Sequence, residues 1–265
     1  MDSKERNINL YLLALTPFAL AVVVWALMAM TPARIDSGVV TLAALTVFCS
    51  CYLRIQLPRV NIHLTITDGL IIFAMLQYGG EIAVLLAAVE IAAASLNMLR
   101  GSMPIKVKTI FINIWMQALT VFAAYYAVSM IFGPIDRILA RNEMASFVWI
   151  IASMAMALFL VNSVLVAIYT ALKKEMSFWS VWSNNLASAI VLYLTGGVVG
   201  GIMIKALEKV DFYLLAAVIV FFGIVYLTFR RFVDDVKKTV EKAKAAERER
   251  AEQAEDCLLY TSRCV

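Results

Sequence analysis

The chain has 265 residues, of which 63% are hydrophobic and 16% charged, with a formal net charge of +4. A soluble domain averages about 45–50% apolar and about 25% charged residues, so the composition excludes an ordinary soluble protein and indicates helices that span a membrane. The positive charge has a topological explanation in the loops and predicts no nucleic-acid partner. The sequence therefore predicts an all-α integral membrane protein.

Long apolar blocks predict the membrane helices in chain order, because a span needs about 20 mainly apolar residues. The first block is too long for the hydrophobic part of a signal peptide, so we expect it to remain as a helix. The apolar block 69–78 is short and either spans or re-enters the membrane. Counting it gives about eight spans, at 8–30, 37–53, 69–78, 82–99, 109–132, 146–172, 183–204 and 211–229.

Loop charges favour eight spans with both termini in the cytoplasm. Thirteen Lys and Arg residues then fall in inner segments and five in outer loops, the direction of the positive-inside rule. The inner residues are Lys4, Arg6, Arg54, Arg59, Arg100, Lys106, Lys108, Lys173, Lys174, Arg230, Arg231, Lys237 and Lys238, and the outer ones are Arg34, Arg137, Arg141, Lys205 and Lys209. Seven spans would place one terminus outside and weaken this asymmetry.

The stretch RIQLPRVNIHLTITD, between the second and third spans, alternates apolar and polar residues with the period of a strand. Pro58 prevents a helix from running through it, so we predict an extended or amphipathic stretch at the cytoplasmic interface. His63 is the only histidine and is predicted to be a surface or interface residue. Cys49 and Cys51 point to different helix faces and are predicted to be buried free thiols, not metal ligands.

Ionisable side chains at bilayer depth usually face the bundle interior or a wet cavity. Glu90 lies midway along its span, and we predict that it faces the next helix, which carries a polar stripe, instead of lipid. Two interpretations stay open: hydrogen bonds that hold the helices together, or a pocket for a small molecule or proton. The candidate residues are Asp68 and Glu81, both expected near the interfaces, with Glu90, Asn97, Asn113 and Gln117.

Glycines in the seventh predicted span form two overlapping G-x-x-x-G pairs, which are typical of closely packed helices. They are Gly196, Gly197, Gly200 and Gly201. No glycine-rich phosphate loop, H-E-x-x-H motif or nucleophile elbow occurs, so no catalytic residue, metal or cofactor is predicted for the residues present.

A charged segment, RRFVDDVKKTVEKAKAAERERAEQAED, follows the last span. Its spacing of three, four and three predicts a coiled-coil seam and a homodimer through this exit helix, the seam residues being Val233, Val236, Val240 and Ala243. Continuing the seam requires an extra step of four, a stutter that locally unwinds the supercoil. A single solvated helix is the alternative.

The last nine residues, CLLYTSRCV, interrupt this charged helix abruptly. They can be encoded by the transposase mosaic end of sequencing adapters joined to its own inverted copy, so we expect residues 257–265 to be a non-native tail. The predicted organisation is a transmembrane bundle at 1–229, a truncated cytoplasmic helix at 230–256 and the adapter-derived tail.

The layout resembles the N-terminal membrane sensor modules of bacterial signalling proteins, the MASE-like group in the broad sense. The resemblance rests on LPRVNIHLTITDGLIIFAMLQYGGEIAVLLAAVE, in which Thr67-Asp68, Gly79-Gly80 and Glu90 occupy the places of the group's motifs. It implies a multi-pass protein of the bacterial inner membrane that senses a small molecule or a membrane state. It also implies a cytoplasmic output domain, most simply one that makes or degrades cyclic di-GMP, of which this chain holds no residue.

A small-molecule transporter or substrate-binding membrane subunit is the alternative function, with Glu90 lining a pathway. The charged exit helix favours the sensor, since a transporter does not need one. Internal repeats would favour the transporter, and the sequence shows none. A purely structural membrane anchor is not separated from a sensor by the sequence.

Overall fold

A computed structural model describes residues 3–31, 34–52, 54–56, 63–65, 67–100, 106–140 and 143–207, together with positions 216, 219, 220, 223, 224, 226 and 227. The chain divides into two compact units, Met1–Ile219 and Val220–Val265, and only a few helical positions of the second are described. Most of the predicted span 211–229, and the whole of the predicted seam Val233, Val236, Val240 and Ala243, lie outside the described residues.

The described residues are helical except for turns and one pair of short strands, so the predicted helical class is confirmed. The elements are α1 Ser3–Ala29, α2 Ser37–Tyr52, β1 Arg54–Gln56, β2 His63–Thr65, α3 Thr67–Gln77, α4 Gly80–Arg100, α5 Val107–Phe132, α6 Ile135–Ala140, α7 Met144–Lys174 and α8 Phe178–Leu207. Each of the first seven predicted spans coincides with one of these helices. The short helix α6 was not predicted, because six residues that include Asp136 and Arg137 are too short and too polar to stand out from a loop in the sequence.

Within the described part of the chain, four helices are long and apolar enough to cross a membrane, as their length and composition show, which indicates a membrane protein. The four segments are Glu5–Ala29, Gly80–Leu99, Val107–Phe132 and Met144–Lys174. Three further described segments are apolar but shorter: Ser37–Tyr52, Thr67–Gln77 and Tyr193–Leu207. The total of eight spans remains a prediction.

The predicted extended stretch contains the antiparallel strands β1 and β2, which join α2 to α3. Arg54 pairs with Thr65, and Gln56 pairs with His63. The alternation of apolar and polar residues predicted extended backbone here, and His63–Thr65 has it. The strand pair brings the chain back towards α2 and so fixes where α3 begins.

The four long helices pack against one another, with α1 in contact with α4, α5 and α7, and α5 in contact with α4 and α7. Tyr169 on α7 packs with Met116 on α5 in a buried cluster. Its ring stacks on that of Tyr11 on α1, with the centroids 6.0 Å apart. The Tyr11 hydroxyl donates a hydrogen bond to the Leu165 carbonyl oxygen at 2.9 Å. These contacts hold α1, α5 and α7 together.

The outer surface of α1 is apolar, as lipid contact requires. Leu13, Phe18 and Met28 are 71%, 68% and 82% exposed in the isolated chain. A water-soluble protein rarely leaves so large an apolar surface uncovered. We infer that this side of α1 faces the hydrocarbon core of the bilayer.

Helix α3, by contrast, is enclosed by protein. All seven residues from Leu70 to Leu76 are at most 6% exposed, and the helix contacts α2, α4, α7 and α8. A helix that is apolar all round is a buried helix or a membrane span. With 11 residues it is about 16 Å long, roughly half the thickness of a bilayer core.

A tight turn at Tyr78 and Gly79 joins α3 to α4. Gly79 has φ +95°, a left-handed conformation that glycine adopts without the strain a Cβ would cause. At this end of the bundle lies a cavity lined by Asp36, Glu81 and Asp136, here called the acidic end. A second cavity, lined by Lys106, Lys108 and Lys173, marks the opposite end of the long helices, here called the basic end.

The distribution of charge predicts that the basic end faces the cytoplasm. We expect reporter fusions after Arg54 and Lys174 to report a cytoplasmic location and fusions after Gly133 and Lys209 an external one, because Lys and Arg are retained on the cytoplasmic side. Alkaline phosphatase and green fluorescent protein fusions measure this. Cytoplasmic activity at Gly133 would contradict the predicted topology.

Candidate functional site

Two acidic side chains on the neighbouring helices α3 and α4 lie close enough to interact electrostatically. Glu90 on α4 is only 4% exposed. Asp68 lies in the first turn of α3, and its carboxyl group interacts electrostatically with that of Glu90. The prediction that Glu90 faces the polar stripe of α5 stays a prediction. The burial of Glu90 agrees with the prediction that it does not face lipid.

Two further polar side chains lie near this acidic pair, and Asp68 and Asn162 are half-buried. Tyr193 on α8 is 6% exposed and interacts electrostatically with Asp68 and Glu90. The side-chain amide of Asn162 on α7 donates a hydrogen bond to the Tyr193 hydroxyl oxygen at 2.5 Å. Side chains from α3, α4, α7 and α8 therefore converge, and we call Asp68, Glu90, Asn162 and Tyr193 the polar cluster.

Sequence reasoning missed Asn162 and Tyr193. Asn162 stands in the apolar run MAMALFLVNSVLVAIY, where a lone amide is a signal that the side chain faces the bundle interior. Tyr193 gave no comparable signal, because tyrosine is common both in apolar helices and at membrane interfaces. Only the packing of α7 on α8 brings it to the acidic pair.

The length of α3 sets the level of the polar cluster in the bundle. Asp68 lies eleven positions before Gly79 in the turn, and Glu90 lies eleven positions after it. At 1.5 Å per residue both residues lie about 16 Å along their helices from the turn, so they share one level of the bundle. The sequence predicted that Asp68 lies near a membrane interface, and that placement stays a prediction.

Close crossings of α8 with two neighbouring helices hold this arrangement. Each crossing contains two of the four glycines of α8. A Cβ on Gly196 would lie 3.1 Å from the Cβ of Asp68, and one on Gly200 would lie 2.8 Å from the carbonyl oxygen of Gly69. Gly197 and Gly201 instead face Ala155 and Ile151 of α7. One G-x-x-x-G pair therefore packs on α3 and the other on α7.

The remaining predicted residues lie apart from the polar cluster. Asn97 is exposed, and its side-chain amide donates to the Cys51 carbonyl oxygen at 3.0 Å, which ties α4 to α2. Gln117 is half-buried on α5. Asn113 lines the cavity of the basic end, and Glu81 lines that of the acidic end. The six predicted residues thus occupy several distinct places.

The acidic-end cavity has a volume of about 450 Å³. It is formed by the α1–α2 connection, the α3–α4 turn, α5 and α6. Its charged lining residues are one guanidinium and three carboxylates, from Arg34, Asp36, Glu81 and Asp136. The Arg34 Nη1 lies 4.0 Å from the Glu81 Oε2, at the limit of an ion pair, and the Arg34 side chain is 59% exposed. The cavity therefore carries an excess of negative charge.

Aromatic side chains form the walls of this cavity. The Tyr125 ring lies so close to the α4 backbone that a Cβ on Gly80 would be 2.4 Å from its Cδ1. The Tyr78 hydroxyl approaches Gly38 of α2 in the same way, at 2.5 Å from a Cβ placed there. Asp36 accepts a hydrogen bond from the Val39 backbone N–H at 2.8 Å and so begins α2. The Tyr78 and Tyr125 rings and the capped beginning of α2 therefore form well-packed walls of the cavity.

Among the described residues no group of three or more His, Cys, Asp or Glu side chains is placed to hold a metal ion. Cys49 is a buried free thiol and Cys51 a half-buried one. Comparison of the chain with known protein families, with curated proteins and with solved structures finds no match.

Proposed function

We propose that this chain is the sensory and anchoring membrane module of a bacterial signalling protein, located in the inner membrane with eight spans and both termini in the cytoplasm. The signal is a small molecule that enters the acidic-end cavity. The output is a cytoplasmic domain beyond the exit helix, one that makes or degrades cyclic di-GMP. The chain itself carries no catalytic residue.

The acidic-end cavity is the observation that carries this proposal. Its volume of about 450 Å³ lies within the range of small-molecule sites, about 300–1,000 Å³. Three carboxylates against one guanidinium favour a ligand with at least one positive charge, and Tyr78 and Tyr125 offer ring faces for an amine. A ligand here would contact the α1–α2 connection, the α3–α4 turn, α5 and α6 at once.

Helix α3 offers a path from this cavity into the bundle. Its last residues and the following Tyr78 line the cavity, and its first turn carries Asp68 of the polar cluster. Gly69 packs directly on α8, the last described helix of the bundle. A ligand that moves α3 would therefore move α8, and the chain continues from α8 towards the exit helix. A displacement of packed helices is a common switching device.

The exit helix supplies the remaining link of the proposal. Two protomers would pair along Val233, Val236, Val240 and Ala243, and the stutter beyond this seam would give two similar packings that a signal can bias. A cyclase of the GGDEF type joins two substrate molecules across a dimer, which fits a paired helix. The resemblance of Thr67-Asp68, Gly79-Gly80 and Glu90 to the motifs of MASE-like modules agrees with this assignment.

The proposal is tested on the complete gene. The locus is read with long reads through codon 256, and an authentic stop codon within a few residues of that position would end the proposal of an output domain. In the complete protein we expect the double variant Glu81→Gln, Asp136→Asn to return cellular cyclic di-GMP to its unliganded level, a change of about fivefold or more, because the cavity loses two of its three carboxylates.

The matched control is Glu143→Gln, an exposed acidic residue just before α7 that does not line the cavity. We expect it to leave the cyclic di-GMP level unchanged at the same amount of protein in the membrane. Equal responses of the control and the double variant would contradict a sensory role for the acidic-end cavity.

The transporter alternative has one specific observation in its favour. Asp68 lies at the beginning of an 11-residue helix, at the same distance from the α3–α4 turn as Glu90, and short helices with ionisable residues are typical of transport sites. Purified chain in vesicles that contain a pH-sensitive dye separates the two functions. The sensor predicts no proton flux above that of empty vesicles, whereas a flux that Glu90→Gln abolishes would favour the transporter.

A further inference from the structure

The cavity of the basic end has no part in the proposed sensing mechanism, and its charge is opposite to that of the acidic end. It has a volume of about 470 Å³ and lies between α1, α4, α5 and α7. Three ammonium groups line it, from Lys106, Lys108 and Lys173, against the single carboxylate of Glu5. Three positive charges against one negative charge leave a net charge of +2.

The carboxylate of Glu5 is directed at only one of these lysines. The Lys108 Nζ lies 3.9 Å from the Glu5 Oε1 and donates a hydrogen bond to the Asn9 Oδ1 at 3.0 Å. The Lys173 Nζ lies 5.6 Å from the centroid of the Tyr169 ring, a position that leaves its N–H donors available to an anion. Lys106 is exposed at the rim.

The beginning of α5 adds to the positive potential. Lys106 is the N-cap residue of this 26-residue helix, and its side chain makes no capping hydrogen bond. The first N–H groups of a helix lack i−4 partners and carry the positive end of its dipole, although the Thr109 N–H here donates to the Lys106 carbonyl oxygen at 2.8 Å. Anions bind at such positions when other positive groups surround them, as the three lysines do here.

The interior of the cavity is part apolar and part polar. Ile8, Met98 and the Tyr169 ring supply apolar surface, while Asn113 and Thr109 supply hydrogen-bonding groups. The Thr109 and Tyr169 hydroxyls lie 3.4 Å apart. This lining fits a ligand group that has several acceptor oxygens and carries one or more negative charges. The rest of the ligand can be apolar or polar, because the lining offers both kinds of surface.

We propose that the basic-end cavity binds a phosphate-bearing group, either the headgroup of an anionic phospholipid or a soluble phosphate compound. Lysines bind phosphate as point charges, and basic recesses between membrane helices on the cytoplasmic side bind acidic headgroups. The proposal depends on neither the acidic-end cavity nor the output domain, so it stands or fails separately from the proposed function.

The test titrates the purified chain, in neutral detergent, with phosphatidylglycerol, phosphatidylcholine or inorganic phosphate at constant ionic strength. The shift of the thermal midpoint with concentration gives an apparent affinity for each probe. We expect the double variant Lys106→Gln, Lys173→Gln to weaken binding of the anionic probe by about 25-fold, at about fivefold for each lysine. Lys174→Gln is the matched control, since this exposed neighbour does not line the cavity.

A second variant tests the proposal if the double variant fails to fold. Glu5→Gln removes the opposing carboxylate from an exposed position and is expected to tighten binding about fivefold. Lysine-dependent stabilisation by phosphatidylglycerol alone assigns the site to a lipid headgroup, and stabilisation by inorganic phosphate assigns it to a soluble compound. Equal effects of phosphatidylglycerol and phosphatidylcholine without any effect of phosphate, or anion binding that no variant alters, would overturn the proposal.

Discussion

Replacing Phe73 with alanine is expected to lower the free energy of unfolding by about 3–5 kcal/mol, the usual cost of deleting a large buried aromatic ring. Phe73 is 0% exposed at the centre of α3, and its ring meets the edge of the Tyr78 ring at 6.3 Å and 83°. Because protein surrounds α3 on all sides, lipid cannot fill the space that the ring leaves. Thermal or detergent-induced unfolding, followed by circular dichroism, measures the change.

Phe18→Ala is the matched control, since Phe18 is 68% exposed on the lipid-facing side of α1. Lipid can occupy the vacated space there, and we expect a change within about 0.5 kcal/mol. Similar losses at Phe73 and Phe18 would show that α3 is not enclosed by protein.

Replacing Gly200 with alanine is expected to destabilise the protein by about 1–2 kcal/mol. The new Cβ would lie 2.8 Å from the Gly69 carbonyl oxygen and 3.0 Å from the Ile72 Cγ2, so α3 and α8 must separate. Overpacking of this kind costs about 1–3 kcal/mol, and it outweighs the gain of about 1 kcal/mol that alanine brings to a helix. The same unfolding assay measures the effect.

The neighbouring Gly201 provides the control on the same helix. A Cβ there would lie 2.6 Å from the Ile151 Cδ1, but that methyl group ends a flexible side chain that can rotate away. We expect Gly201→Ala to be neutral or to stabilise the protein by up to about 1 kcal/mol. A loss at Gly201 as large as that at Gly200 would contradict the view that the α3–α8 crossing is the tighter of the two.

Gly200→Ala and Gly201→Ala test the α3–α8 and α7–α8 crossings, and the proposed signal path depends on the first of these. The path runs from Tyr78 through α3 to Gly69, and from there to α8. The cellular output of the complete Gly200→Ala protein is measured at a lower temperature that restores the amount of folded protein. A changed output under that condition would mean that the α3–α8 crossing transmits the signal as well as stabilising the fold. Gly201→Ala would leave that output unchanged.

The sequence by itself determined the helical class and most helix positions. The apolar block 37–53 corresponds to Ser37–Tyr52, and 109–132 to Val107–Phe132. This succeeded because the requirement for about 20 apolar residues is local and because Gly79 and Gly133 stand at the ends of apolar blocks. Glu90 was recognised for the same reason, since a carboxylate in the middle of an apolar helix is conspicuous without any knowledge of its neighbours.

Only the tertiary structure decided which polar side chains meet. Asp68 comes close to Glu90 because the chain turns back at Gly79 between α3 and α4, and residues equally distant from the turn share one level of the bundle. Asn162 and Tyr193 join them because the glycines of α8 let it pack between α3 and α7. Such pairings depend on crossing geometry between segments far apart in the chain, and hydropathy along the sequence does not record that geometry.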